Sequence, residues 1–303
     1  MPLWLLLTLL AAFGQNVRSS VQKHLKGRMG TGGVTWVRFG FGWPFALLYL
    51  TLIVLVTGRD VPQPPPALFG WAIVGAFAQI GAQALLIALF SLRNFAAGSA
   101  YARVEPVFAA LLAPALLAET IGPGVAFGIG VSVVGVVLVS LGEDLSPGGV
   151  IRALGTRAAL MGLGSALLFG LSAVSFRGAA LTLGPVESGG DAMLRGAMVN
   201  SFAIVLQTVV LGVWLTLRDS GEWRKIRAAW RPSLLVGWVG ATVSLGWFSA
   251  FALQQASIIK AVAQVELVFA ILTSWLVFRE RVTGSEVAGA TLIAAGVILL
   301  LAA

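Results

Sequence analysis

Ten runs of about twenty mostly apolar residues follow one another along the chain, separated by short polar or glycine- and proline-rich stretches. Backbone amides in lipid must be bonded within their own segment, and ~20 residues of helix cross a hydrocarbon core of ~30 Å. The pattern therefore predicts an all-α integral membrane protein with ten transmembrane helices at roughly 3–25, 32–57, 67–91, 95–118, 121–141, 157–183, 190–217, 232–254, 257–278 and 284–302. Turn chemistry marks the breaks: Gly30 with Gly32–Gly33, the run from Pro62 to Pro66, Gly122–Pro123–Gly124, Pro147–Gly148–Gly149 and Gly184–Pro185. Each connection is too short to house a soluble domain.

Composition agrees with lipid as the main solvent, since 58% of residues are apolar, 11% are charged and the mean hydropathy is +0.94. The chain has no cysteine, which removes disulfides, thiolate nucleophiles and Cys-based metal sites together. With His24 the one histidine, no cofactor or metal is expected. The segment from Met1 to Phe13 has the apolar core of a signal peptide but no basic region before it and no small-residue cleavage site before Gln15–Asn16, so it is read as the first span.

The net charge of +8 does not point to nucleic acid, because the basic residues cluster in connections between apolar runs. Connections after odd-numbered helices hold Lys23, Lys26, Arg28, Arg93, Arg152, Arg157, Arg218, Arg224, Lys225, Arg227, Arg231, Arg279 and Arg281, whereas the other face has Arg59 in a loop, with Arg177 and Lys260 near helix ends. By the positive-inside rule the odd-numbered loops are cytoplasmic and both termini extracytoplasmic, in a multi-pass protein of the cell or inner membrane.

The chain also repeats itself. At a shift of 161 residues, 92–141 falls on 253–302 without a gap: Ala102 on Ala263, Val104 on Val265, Glu105 on Glu266, Phe108 on Phe269, Glu119 on Glu280, Gly128 on Gly289 and Gly135 on Gly296. Earlier, Phe13–Gly14 matches Phe169–Gly170 and Arg38 matches Arg195. Residues 1–142 and 155–303 are thus read as two five-helix units joined by a cytoplasmic connector, 143–154. A unit with an odd number of crossings re-enters the bilayer from the opposite side, which makes this an inverted repeat, a ground plan of secondary transporters with substrate held near the midplane.

On these residues the sequence resembles the drug/metabolite transporter superfamily, specifically its ten-helix members built of two EamA domains. The resemblance rests on Val104–Glu105–Pro106–Val107–Phe108–Ala109 with Ala118–Glu119, on Glu266–Leu267–Val268–Phe269 through Arg279–Glu280–Arg281 to the helix holding Gly289 and Gly296, and on Arg38 and Arg195 early in the second helix of each half. The second half has Leu267 where the first has Pro106, which leaves the break of that helix open. The resemblance implies a small-metabolite carrier, often an exporter.

An ionisable side chain at the centre of a span costs ~2.5–3.5 kcal/mol on insertion scales, so each needs a partner and a reason. Glu105 and Glu266 lie ~15 Å along their helices, at the midplane. Arg38 and Arg195 lie ~10 Å inside theirs and are candidate partners. Arg103 is two residues from Glu105 and points to another face, so it needs a different partner, such as a substrate carboxylate. Lys260 sits close enough to the outer interface to snorkel. Gln15 and Asn16 in the first helix, and Gln79 with Gln83 at i,i+4 in the third, add amides that either bind substrate or bond between helices. Trp4, Trp71, Trp223 and Trp230 fit interfacial belts, while Trp36, Trp43 and Trp247 are candidates for a cavity wall.

Two readings of the Glu/Arg set stay open: buried salt bridges that lock helices, or the transport site itself. An enzyme would need a water-exposed constellation such as clustered ligands or a nucleophile with its base, and no HExxH, GxSxG or Walker-type run is present. A secondary transporter of a carboxylate-bearing or zwitterionic metabolite, monomeric or homodimeric, is the main expectation. A lipid-linked or drug-like substrate and a non-transporting scaffold or receptor subunit are the alternatives.

Overall fold

The computed structural model describes residues 1–89, 102–141, 156–268 and 284–302, and the described residues contain helices and turns with no strand. The helices are α1 (Leu3–Lys26), α2 (Thr31–Gly40), α3 (Trp43–Thr57), α4 (Pro66–Leu89), α5 (Glu105–Leu117), α6 (Pro123–Leu141), α7 (Arg157–Leu181), α8 (Gly189–Arg218), α9 (Glu222–Ala228), α10 (Trp230–Leu253), α11 (Ala256–Val262) and α12 (Gly284–Ala302). Five stretches among them are long and apolar enough to cross a membrane: Thr31–Thr57, Pro66–Leu89, Ala159–Leu181, Gly189–Arg218 and Trp230–Leu253.

Three departures from the expected spans have local causes. The second span kinks at Phe41–Gly42 between α2 and α3, because Pro44 has no N–H to give the Gly40 carbonyl. The kink is packed tightly: a Cβ on Gly42 would lie 2.5 Å from the Arg38 carbonyl oxygen and 3.1 Å from that of Gly237, so the two backbones touch. Within the expected loop after α8, the segment Glu222–Ala228 forms the short helix α9, whose Glu222 is buried. That carboxylate accepts the Gly30 N–H at 2.7 Å and pairs with Lys225, which ties the start of α2 to α9. The Glu222 hydrogen bond holds the Lys225 ammonium above its ordinary pKa.

The third departure concerns the helices that carry the two glutamates. In each, a turn interrupts the expected helix just before the carboxylate: Arg103–Val104 precedes Glu105, and Ala263–Gln264 precedes Val265–Glu266. Residues 90–101 and 269–283, which hold the other ends of these expected spans, and the connector 142–155 lie outside the described residues. Leu267 in place of Pro106 therefore does not prevent the second break.

Packing runs mostly between the halves. α6 pairs with α12, α4 with α7, α1 with α10, and α2–α3 with α8, while α5 meets both α7 and α11. Exchanging the two halves maps α4·α7 onto α10·α1 and leaves α6·α12, α3·α8 and α5·α11 as pairs with themselves. Small residues allow the closest of these contacts. In the α6–α12 pair a Cβ on Gly135 would meet the Gly289 carbonyl at 2.6 Å, and one on Gly296 would meet Ser132 Oγ at 2.3 Å. α7 and α10 form the wall around which the others gather, with Phe176, Phe248 and Phe251 stacked in the main apolar core.

Candidate functional site

The two helix breaks face each other. Gln264, in the turn of the second half, donates its side-chain amide to the Arg103 carbonyl in the turn of the first at 3.2 Å. A turn frees carbonyls that a continuous helix would have bonded, and here one break supplies the donor that the other lacks.

The charges cross over in the same way. Arg103 reaches Glu266 with both guanidinium nitrogens, at 2.5 and 3.0 Å, forming a fork-to-carboxylate pair. Lys260, just before the second break, approaches Glu105 at 3.3 Å, just after the first. Glu105 opens α5, where the free N–H groups of a helix start favour a carboxylate. Glu266 is 1% exposed and is held further by Gln15 Nε2, which donates to Oε2 at 3.0 Å, while Asn16 Nδ2 donates to the Glu266 carbonyl at 2.9 Å. Each glutamate is thus neutralised by a cation of the opposite half.

This pairing corrects three expectations. Arg38 meets no glutamate among the described residues: its guanidinium donates to Gln83 Oε1 at 2.6 Å and Ser244 Oγ at 3.5 Å. It thus faces α4 and α10 rather than α5. Arg195 also lies apart from the carboxylates and donates to the carbonyls of Gly184 and Pro185, bracing the turn between α7 and α8. That turn needs a glycine, since Gly184 has φ +92°. Lys260 does not snorkel. α11 is buried on nearly every side, and the ammonium lies among Glu105, the Trp247 ring at 4.8 Å and the Phe169 ring at 5.8 Å.

The paired glutamines of α4 divide their work. Gln83 accepts from Arg38 and donates to Gln22, whereas Gln79 accepts from Gln207 of α8 at 2.9 Å. Both are buried, and Gln79 lines the central cavity. Of the three candidate wall tryptophans only Trp247 lines that cavity. Trp36 packs edge-on against Trp223 with ring centres 4.7 Å apart, and Trp43 is exposed.

A narrow central cavity lies between α1, α2, α4, α7, α10 and α11, and combines Gln15, Arg18, Arg38 and Lys260 with an aromatic wall. A second small polar recess adjoins it through Gln15, Arg18, Phe169 and Lys260, and adds Arg103 and Glu105. Arg18 is a site residue that the sequence reading passes over. It lies three residues after Gln15, on the same face of α1, and the cost of an ionised group inside a span was the signal that would have found it. Gln264 was likewise legible only as one more amide, because its role depends on the opposing break.

Near the end of α7, Arg177 pairs with Glu119 and donates to the carbonyls of Phe251 and Gln254 at 2.7 Å. It thereby caps the C-terminal carbonyls of α10 and draws the ends of α5, α7 and α10 together.

The profile of the EamA-like transporter family matches the chain twice, over residues 2–141 and 156–302. Among solved structures 27 chains match. One of them, described only as a crystal structure of a protein, has a TM-score of 0.68 at 14% identity over 98% of this chain and 95% of its own, a likeness of fold alone. No curated protein matches the sequence. Two copies of one transporter profile, laid over apolar helices that meet in a buried polar site, make this a multi-pass membrane protein that belongs to the EamA-like transporter family.

Proposed function

We propose that the protein is a secondary transporter that moves a small carboxylate-bearing or zwitterionic metabolite, in the direction of export, by alternating access around the crossed charge pairs. The observation that carries the reading is the exchange of partners between halves: Arg103 with Glu266 and Lys260 with Glu105, each beside a helix break. A lock needs only that charges be paired. Breaks at both glutamates go further, because they place unwound backbone beside cations that line a recess, as transporter sites do. Arg103 keeps 27% of its side chain exposed while its partner keeps 1%, so the arginine is open to an incoming carboxylate from the cavity side.

The symmetry of the helix pairings supports an inverted repeat of two five-helix units, and rocking of one half against the other would open the cavity to each face in turn. The Arg177–Glu119 pair ties together helix ends that, under the positive-inside orientation, lie on the outer side.

The direct test is flux of labelled amino acids and carboxylates in proteoliposomes of the purified protein. Saturable exchange that Arg103→Met abolishes while the protein stays folded supports the reading. Unchanged flux in stable Glu105→Gln, Glu266→Gln and Arg103→Met proteins refutes it. One feature favours a lipid-like substrate as a second reading: an apolar groove between α1, α8 and α10, lined by Leu7, Leu10, Gly14, Met193, Trp238 and Val243. Under that reading flux requires substrate dissolved in the bilayer.

A further inference from the structure

Two guanidinium groups of the central cavity, Arg18 and Arg38, form no salt bridge among the described residues. Arg18 is 2% exposed, and its Nε and NH1 nitrogens are buried without any hydrogen-bond partner. Arg38 is equally buried, bonds only to the neutral Gln83 and Ser244, and also leaves Nε without a partner. The two side chains run side by side over α10: a Cβ on Gly240 would lie 3.1 Å from Arg38 Cγ and 3.7 Å from Arg18 Cδ. Both line the same cavity.

Among the described residues the cavity and its adjoining recess are lined by four cations, Arg18, Arg38, Arg103 and Lys260, and one carboxylate, Glu105; counting Glu266, which pairs with Arg103 from outside the lining, an excess of two positive charges remains. An arginine does not shed its proton to relieve this, so the field must be met by an anion. A zwitterion leaves the excess at two and a monocarboxylate leaves it at one. A group with two negative charges balances it, and its several oxygens match the parallel N–H pairs that a guanidinium offers. Trp247 Nε1, buried and without a partner, lies on the same wall, beside aromatic rings suited to an apolar or planar body.

We propose that Arg18 and Arg38 form the recognition site for a doubly charged oxyanion group, a phosphate monoester or a dicarboxylate, on the transported metabolite. This rests on the transport reading and specifies the charged group that its substrate carries.

The test is thermal unfolding of the purified full-length protein in detergent, at constant ionic strength, with inorganic phosphate, succinate, acetate or chloride. Phosphate or succinate raises the midpoint at millimolar concentration while acetate and chloride do not, and the stronger of the two identifies which oxyanion the site takes. Arg18→Met and Arg38→Met each weaken that anion at least tenfold, and Arg18→Lys less so. Because the wild-type charges are unmet, Arg18→Met in anion-free buffer unfolds at or above the wild-type temperature, whereas a merely structural arginine would lower it. The proposal is overturned if neither dianion stabilises the wild type beyond chloride, or if Arg18→Met keeps full affinity. Flux of a zwitterion without dianion binding defeats this inference and spares the transport reading. Dianion binding with no flux of any solute does the reverse.

Discussion

Glu266→Gln tests whether the crossed pairs hold the two halves together. The carboxylate is 1% exposed and accepts from Arg103 NH1 at 2.5 Å, Arg103 NH2 at 3.0 Å and Gln15 Nε2 at 3.0 Å. Glutamine keeps the volume but removes the charge and puts an NH₂ where an acceptor stood, so one of those donors faces another donor. Breaking a buried ion pair by removing one partner costs ~3–5 kcal/mol. The lower end applies, because the Arg103 side chain is 27% exposed and regains some water when released. About 3 kcal/mol corresponds to a drop in melting temperature of roughly 5 °C for a chain of this length. The assay is thermal unfolding in detergent of Glu266→Gln, Arg103→Met and the double variant, with proteoliposome flux measured alongside. The double variant should recover most of the lost stability, since neither charge is then stranded, and should not transport. A Glu266→Gln protein as stable as wild type, or a double variant no better than the single, would refute the pairing argument. Recovered stability together with recovered flux would assign the pair to architecture.

Three further outcomes follow from the same geometry. Glu105→Gln should lower the melting temperature less than Glu266→Gln, because the 3.3 Å Lys260 contact is looser than the Arg103 fork, and Lys260→Met should restore it. Gly296→Ala drives a Cβ to 2.3 Å from Ser132 Oγ and 2.6 Å from Ser132 N, and should cost ~1–3 kcal/mol in unfolding measurements, whereas Gly130→Ala, with open space around its Cβ, should be neutral or mildly stabilising. The orientation predicts that a reporter fused after Ala303 reads as extracytoplasmic and one inserted after Ser220 as cytoplasmic; the same side for both would overturn it.

The helices and the family were legible along the chain because both depend on short-range features. An apolar run ended by Gly or Pro forms its helix wherever it lies, so expected and observed limits differ by a residue or two for 157–183 against Arg157–Leu181 and 190–217 against Gly189–Arg218. The cost of burying charge singled out Glu105 and Glu266 in the same local way. Their partners were a different matter. Arg103 and Glu266 are 163 residues apart, and Lys260 meets Glu105 across the other half, so nothing in spacing separates these pairings from the expected ones with Arg38 and Arg195. In the fold Arg38 faces Gln83, and Arg195 serves the turn at Gly184. Sequence by itself determined which groups must be buried and paired, because desolvation is a property of each residue in its span. Only the tertiary structure decided who pairs with whom and set Arg18 beside Arg38, because contact between helices depends on their packing and not on their order.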